Sequence, residues 1–177
     1  MTLYFPEAVQ SLGRETLLYV PTLADPAAAT VAEVTAAGAI NISCAIRTFN
    51  ATADQSKVKK YRLCSKQGFD SLGRVEWSID RPSFIDDPQA DDDDTDYKHK
   101  SLVDGTRGYL LRRRGLDSDP ENFTAWAADQ LYQAFPVQFG VRVPNQVNPE
   151  EDGQEFEYEQ EIAVIGEVVN GKVVSGA

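Results

Sequence analysis

The sequence has little of what most catalytic and metal chemistry uses. Its 177 residues include one histidine, one methionine, two cysteines and two tryptophans. With His99 alone, flanked by Lys98 and Lys100, a Ser-His-Asp or Cys-His centre would have to be built on a residue that reads as part of a solvated helix face. Cys44 and Cys64 show no C-x-x-C spacing, so a Cys/His zinc site lacks ligands. They read as two reduced thiols on strands, and spacing alone does not establish a disulfide. Neither a G-x-x-x-x-G-K-[ST] loop nor a G-x-G-x-x-G turn is present. The opening "MTLYFPEAVQ" lacks the basic-then-apolar order of a signal peptide. No apolar run approaches the ~20 residues of a membrane-spanning helix, so the expectation is a soluble protein made in a cytoplasm.

Positive charge is also scarce. Seventeen Lys and Arg face 28 Asp and Glu, for a net charge of −11. That balance excludes a general nucleic-acid binder, which needs clustered cations against phosphate. It does not exclude a protein past which DNA slides without adhering.

What is present is a period-two pattern. Strands are predicted at 16–23, 39–49, 57–65, 74–79, 108–117, 129–143 and 155–169. The segments 50–56 and 66–73 read as a turn and a loop. Leu131, Phe135, Val137, Phe139, Val141 and Val143 share one predicted face, and Phe156, Tyr158, Ile162 and Val164 another. Thr30 and Glu33 have capping-box spacing and Gly38 supplies a stop, which predicts a helix at 31–37. A second short helix is predicted over 95–104, ended by Gly105, and a tight turn at Asn170–Lys172. The sum is a mainly β protein, a sandwich or barrel of roughly seven strands with one or two short flanking helices.

Three charged features stand out. The acid-rich stretch at about 80–96 contains Asp91, Asp92, Asp93 and Asp94. Tested as a calcium loop from Asp92, it places Tyr97 where Gly is required and Val103 where Glu is required, so it fails twice. It reads as a polar loop. Glu155, Glu157, Glu159 and Glu161 form a stripe on one side of the last strand. Such a stripe is either a solvated face or a negative wall that repels phosphate. Arg112, Arg113 and Arg114 form the one compact basic run.

Taken in order, four segments resemble the major tail tube proteins of long-tailed, non-contractile bacteriophages. They are "YVPTLADPAAATVAEVTAAGAINIS", "TADQSKVKKYRLCS", "KSLVDGTRGYLLRRRG" and "YQAFPVQFGVRVPNQ", which together span most of the chain. The resemblance implies one domain over 1–177, with an N-terminal arm at about 1–15 and the acidic loop. It implies hexameric rings that stack into a tube, with loops and arms between rings and a channel for viral DNA. The implied partners are further copies of the chain, the tape measure protein, the tail terminator and the baseplate or tail-tip proteins, with transient, non-specific DNA passage. It implies assembly in the host cytoplasm and residence in the virion tail, and neither a catalytic residue nor a cofactor. Glu155, Glu157, Glu159 and Glu161 are then candidates for the lumen. Asp91 to Asp94 and Arg112 to Arg114 are candidates for contacts between subunits or rings. Lys57, Lys59 and Lys60 are further basic partners for the acidic loop. The alternatives are a monomeric β-barrel binding module and another tail component of similar fold, such as a terminator, connector or baseplate subunit.

Overall fold

The computed structural model describes residues 7–92, 94–146 and 154–176. Its strands are β1 (Glu15–Val20), β2 (Ile40–Asn41), β3 (Ala51–Lys60), β4 (Phe69–Ile79), β5 (Ser83–Ile85), β6 (Arg107–Arg114), β7 (Leu131–Pro144), β8 (Glu157–Val164) and β9 (Val169–Lys172). A single α-helical turn, α1 (Val31–Val34), and a 3₁₀ turn at Lys98–Ser101 complete the regular structure. The chain is mostly β. One curled antiparallel sheet in the order β2-β1-β6-β7-β8-β5 forms a half-barrel, and β3 with β4 forms a separate hairpin.

The middle of the sheet is buried on both faces, so successive residues of β1 enter opposite cores. Leu17, Tyr19, Leu110, Phe135, Val137, Phe139 and Ile162 join one core, closed by Ile42, Phe84, Leu102 and Ile79. Alternate residues Leu18, Val20, Leu111, Tyr132 and Ala134 join a second core under Val34, Trp126 and Val173. Strand β7 organises both. One edge pairs with β6; the other is shared end to end by β9, at Leu131–Ala134, and β8, at Val137–Pro144. Pro136 falls at the break between them. Its carbonyl accepts from Ile165 N at 2.9 Å, so its donor-less nitrogen faces a gap where the ladder asks for no N–H.

Several expectations are corrected. The strand predicted over 39–49 is reduced to Ile40–Asn41 on β1 and, past a turn, a single bridge from Ile46 to Phe84 of β5. The Ser43 hydroxyl accepts from Leu17 N at 2.8 Å, and Asn41 Oδ1 accepts from Ser43 N at 3.0 Å. These side-chain bonds divert the backbone into a turn. Conversely, 50–56 and 66–73 supply much of a hairpin, because Ala51–Gln55 pair with Val75–Ile79 and Lys57–Lys60 with Phe69–Leu72. Their polarity marks strands wet on both sides, not a loop. The helix predicted over 95–104 shrinks to one 3₁₀ turn.

Asn170 and Gly171 lie in β9 and make no turn. Gly171 is needed there because a Cβ would stand 2.4 Å from Tyr132 Cζ. The Tyr132 hydroxyl accepts from Ala29 N at 2.8 Å and donates to Pro26 O at 2.9 Å, so the ring has no freedom to retreat. The single strand predicted at 155–169 is therefore two, and Phe156, placed inward by the pattern, is exposed. In β7 a register shift between Phe139 and Arg142 turns Val141 and Val143 out to solvent, and Leu131 at the strand's start is exposed as well. Cys44 and Cys64 are free, exposed and in turns rather than on strands. The predicted capping box is present. Glu33 N donates to Thr30 Oγ1 at 3.2 Å and Thr30 N to Glu33 Oε2 at 2.8 Å, on a helix shorter than expected.

Candidate assembly surfaces

The glutamate stripe lies where the sheet is covered on one face only. In β8, Tyr158, Gln160 and Ile162 point into the core while Glu157, Glu159 and Glu161 point away from it. Val143 is opposite Glu159 across the β7–β8 pair, so Val141 and Val143 share this outward face. Four like charges on one line repel, and two arginines from other segments relieve them. Arg47 Nη2 binds Glu155 at 3.0 Å and its Nε binds Glu157. Arg81 Nη2 binds Glu161 at 2.8 Å and Nη1 stands 3.9 Å from Glu159. The Ser83 hydroxyl donates to Glu157 at 2.5 Å. That hydroxyl is the largest cause holding the Glu157 carboxyl below its ordinary range; burial comes next and opposes it, and Arg47 adds to the lowering. No spacing rule relates Arg47 or Arg81 to β8; only the paired strands bring them there.

The acidic segment is folded onto the sheet. Strand β5 interrupts it, and Lys100 and Arg142 pin the rest. Lys100 is 7% exposed and donates through Nζ to the carbonyls of Asp87 (2.8 Å) and Ala90 (2.5 Å), with Asp86 Oδ1 at 3.5 Å. Arg142 binds Asp92 at 3.0 Å and donates to the Lys100 carbonyl. His99 is not the solvated residue its lysine neighbours suggested. It is 5% exposed, stacked on Phe84 and Tyr158, with Nε2 donating to the Ile85 carbonyl at 2.9 Å. Burial above all pushes the imidazole toward the neutral form, and Arg142 and Lys100 add to that. The Ile85 carbonyl and Asp86 oppose it. Asp91, Asp92 and Asp94 lie in the described part of the loop, whereas Asp93 lies outside the described residues. Among the described residues, no three His, Cys, Asp or Glu side chains gather as a metal-binding group.

The three arginines of β6 have three different environments. Arg112 binds Glu15 at 2.6 Å and lies over the Phe49 ring. Arg113 is 1% exposed and committed within its own chain. Its guanidinium stacks on Trp126, 4.5 Å from the ring centroid, and donates to Gln130 Oε1 (2.7 Å), Thr124 O (2.6 Å), Ala125 O (3.3 Å) and Thr16 Oγ1 (3.2 Å). Arg114 is exposed at the strand end and has no ion pair among the described residues.

The hairpin is the surface that strand prediction fragmented. Its root is anchored: Trp77 meets Phe135 edge-on at 5.6 Å, and Ile79 is buried. Beyond the root nearly every residue is exposed. At about 3.3 Å per residue the ten-residue β3 makes an arm of ~30 Å. Val58, Tyr61, Leu63, Phe69, Leu72 and Val75 on it are exposed apolar residues. It also carries Lys57, Lys59, Lys60, Arg62, Lys66 and Arg74 against Asp54, Asp70 and Glu76, so it is basic on an otherwise acidic protein. The register shift between Gln55 and Lys57 places Gly73 and Arg74 opposite Ser56, a bulge in β4. A Cβ on Gly73 would stand 2.2 Å from Ser56 Oγ, so a side chain there would force the serine hydroxyl to turn away.

A curled antiparallel sheet with a separate projecting hairpin defines a β half-barrel protein. A family model described as "Phage tail tube protein" matches residues 2–177, and the chain belongs to that family. It is therefore a structural component of the phage tail, a protein that associates with itself into a tube and meets other tail components. No curated protein matches the chain. Among the described residues, no helix is long and apolar enough to cross a membrane.

Proposed function

We propose that six copies of this chain form a ring and that rings stack into the tail tube of a long-tailed, non-contractile phage. The tube is the channel through which viral DNA passes at genome ejection. The observation that carries this reading is the β3–β4 hairpin, whose strands pair only with each other and leave both outer edges open among the described residues, whereas β5 of the main sheet is already covered by Ala45–Arg47. Exposed sheet edges are hazards that closure between neighbours removes, and cyclic symmetry supplies that closure.

In this reading residues 1–177 act as one domain, and its N-terminal arm reaches a neighbouring ring. The bare face carrying Glu155, Glu157, Glu159 and Glu161 lines the lumen, where net negative charge keeps DNA phosphates from adhering. Arg114 and the acids at 91–94 meet neighbouring copies. Arg112 and Arg113 hold β6 in place, and their contribution to assembly is indirect. The tape measure protein occupies the lumen while the tube is built in the host cytoplasm, and terminator and tail-tip proteins close its ends.

Negative-stain microscopy of the purified protein across concentration and salt is the direct test. Rings or tubes are the expected result, and a strictly monomeric species under every condition overturns the proposal. For the lumen, Glu159→Lys with Glu161→Lys is expected to leave rings intact and slow DNA ejection. Ejection at the wild-type rate would place the stripe elsewhere.

A further inference from the structure

We infer that the basic, apolar tip of the hairpin docks into an acid-rimmed groove beside the 3₁₀ turn of a second copy. The inference rests on self-assembly and adds which surface receives the arm. The tip, Lys59 to Lys66, exposes Tyr61 at 77% and Leu63 fully, set among Lys59, Lys60, Arg62 and Lys66. Aromatic and arginine side chains that present area together with donors are the groups that dominate binding energy at interfaces. Within its own chain the tip meets only the hairpin itself, and β4 touches the sheet only at its root, through β8 and the Trp77–Phe135 contact to β7.

The groove has the complementary character. It is a cavity of about 380 Å³ with an apolar floor made by Tyr19, Pro21, Ile40 and Leu102, and Asp92 and Asp94 stand on its rim. Asp92 is already engaged by Arg142, whereas Asp94 has no ion pair among the described residues. Lys98 also lines the groove, so an incoming cation is favoured on the aspartate side alone, which orients the tip. An apolar side chain seated on the floor with Arg62 or Lys66 at the acids would bury Tyr61 or Leu63 and use charges that the monomer leaves in water. The contact joins two different surfaces, so it is heterologous and propagates from copy to copy.

Two variants break the contact from opposite sides. Arg62→Glu in the tip and Asp94→Lys in the groove are each expected to weaken self-association roughly tenfold or more, as loss of a central charged anchor does. The chain carrying both reversals is expected to recover most of the loss, because the pair is restored with its signs exchanged. Ala37→Trp, which fills the groove without changing charge, is expected to act like the single reversals. Circular dichroism and thermal unfolding check that each variant folds. Folded single variants that self-associate like the wild type overturn the inference and leave tube formation standing.

A photo-crosslinker, p-benzoyl-phenylalanine, in place of Leu63 tests the same contact independently of tubes. Concentrated protein is expected to yield crosslinks between copies that map to 36–41 and 92–106. Crosslinks that map elsewhere, or none between copies, overturn the inference even where rings or tubes form.

Discussion

The curled sheet and the β3–β4 hairpin are built from the same element and live under opposite conditions. In the sheet, β6 and β7 bury alternate residues in two cores, and Leu110, Leu111, Phe135 and Val137 are fully enclosed. In the hairpin the ladder is as long, yet beyond Trp77 and Ile79 there is no core beneath it. A two-stranded ribbon alone in water is marginal. Stability in this protein therefore belongs to the sheet, and the hairpin borrows it through its root. Local opening free energies differ in the same way between buried strands and exposed projections.

The largest effects are expected in the sheet. Phe135→Ala removes the ring that both Phe49 and Trp77 contact and is expected to cost about 3–5 kcal/mol, read as a fall in the denaturation midpoint. Because Trp77 is the hairpin's anchor, its fluorescence should report the hairpin loosening in the same variant. Arg113→Ala takes the donor from Gln130 Oε1, Thr124 O and Thr16 Oγ1 and empties a space beside Trp126; a loss of about 2–4 kcal/mol is expected by thermal unfolding. An Arg113 variant as stable as the wild type would show that the guanidinium is a passenger in that core.

A pH change should separate the two regions further. His99 is held neutral by burial, with its pKa below the ordinary 6.5. Between the lowered and the ordinary value the unfolded chain binds more protons than the folded one, so stability falls as pH drops through that window. The expected result is a fall in the unfolding midpoint from pH 7 toward pH 5, with faster hydrogen exchange at 97–102 and none of that added exchange at 52–58. His99→Gln should abolish the His99 component of the pH dependence. An unchanged slope in that variant would assign it to the carboxylates. Thr30→Ala should cost about 1 kcal/mol by removing the capping box of α1. The smallest effect on unfolding, within about 0.5 kcal/mol, is expected for Leu72→Ser at an exposed hairpin site.

Legibility followed burial. Where a strand buries most of its residues, the sequence predicts it closely, as for β1, β6 and β7. Where tertiary partners decide, it does not. Ala51–Gln55 is polar on both sides and read as a turn, and Asn170-Gly171 carries hairpin-turn chemistry yet packs flat against Tyr132. The outward direction of Glu157, Glu159 and Glu161 was legible from period two, but their arginine partners were not. Arg47 is over a hundred residues away in the chain. Arg112 to Arg114 looked alike as a run. Alternation across a sheet and the Trp126 loop then gave each a different fate. His99 looked solvated because its neighbours are lysines, and one of those, Lys100, is itself buried.

The bulge at Gly73 and Arg74 has a consequence for valency. Before it, Val75 and Trp77 share a side with Gln55 and Ala53; beyond it, Leu72 stays on that side with Lys57, while Val58 and Phe69 occupy the reverse. The arm is thus a ribbon with apolar residues on both broad sides. One neighbour can cover only one of them. An arm held on a single side still leaves oily surface in water, and a second neighbour relieves it.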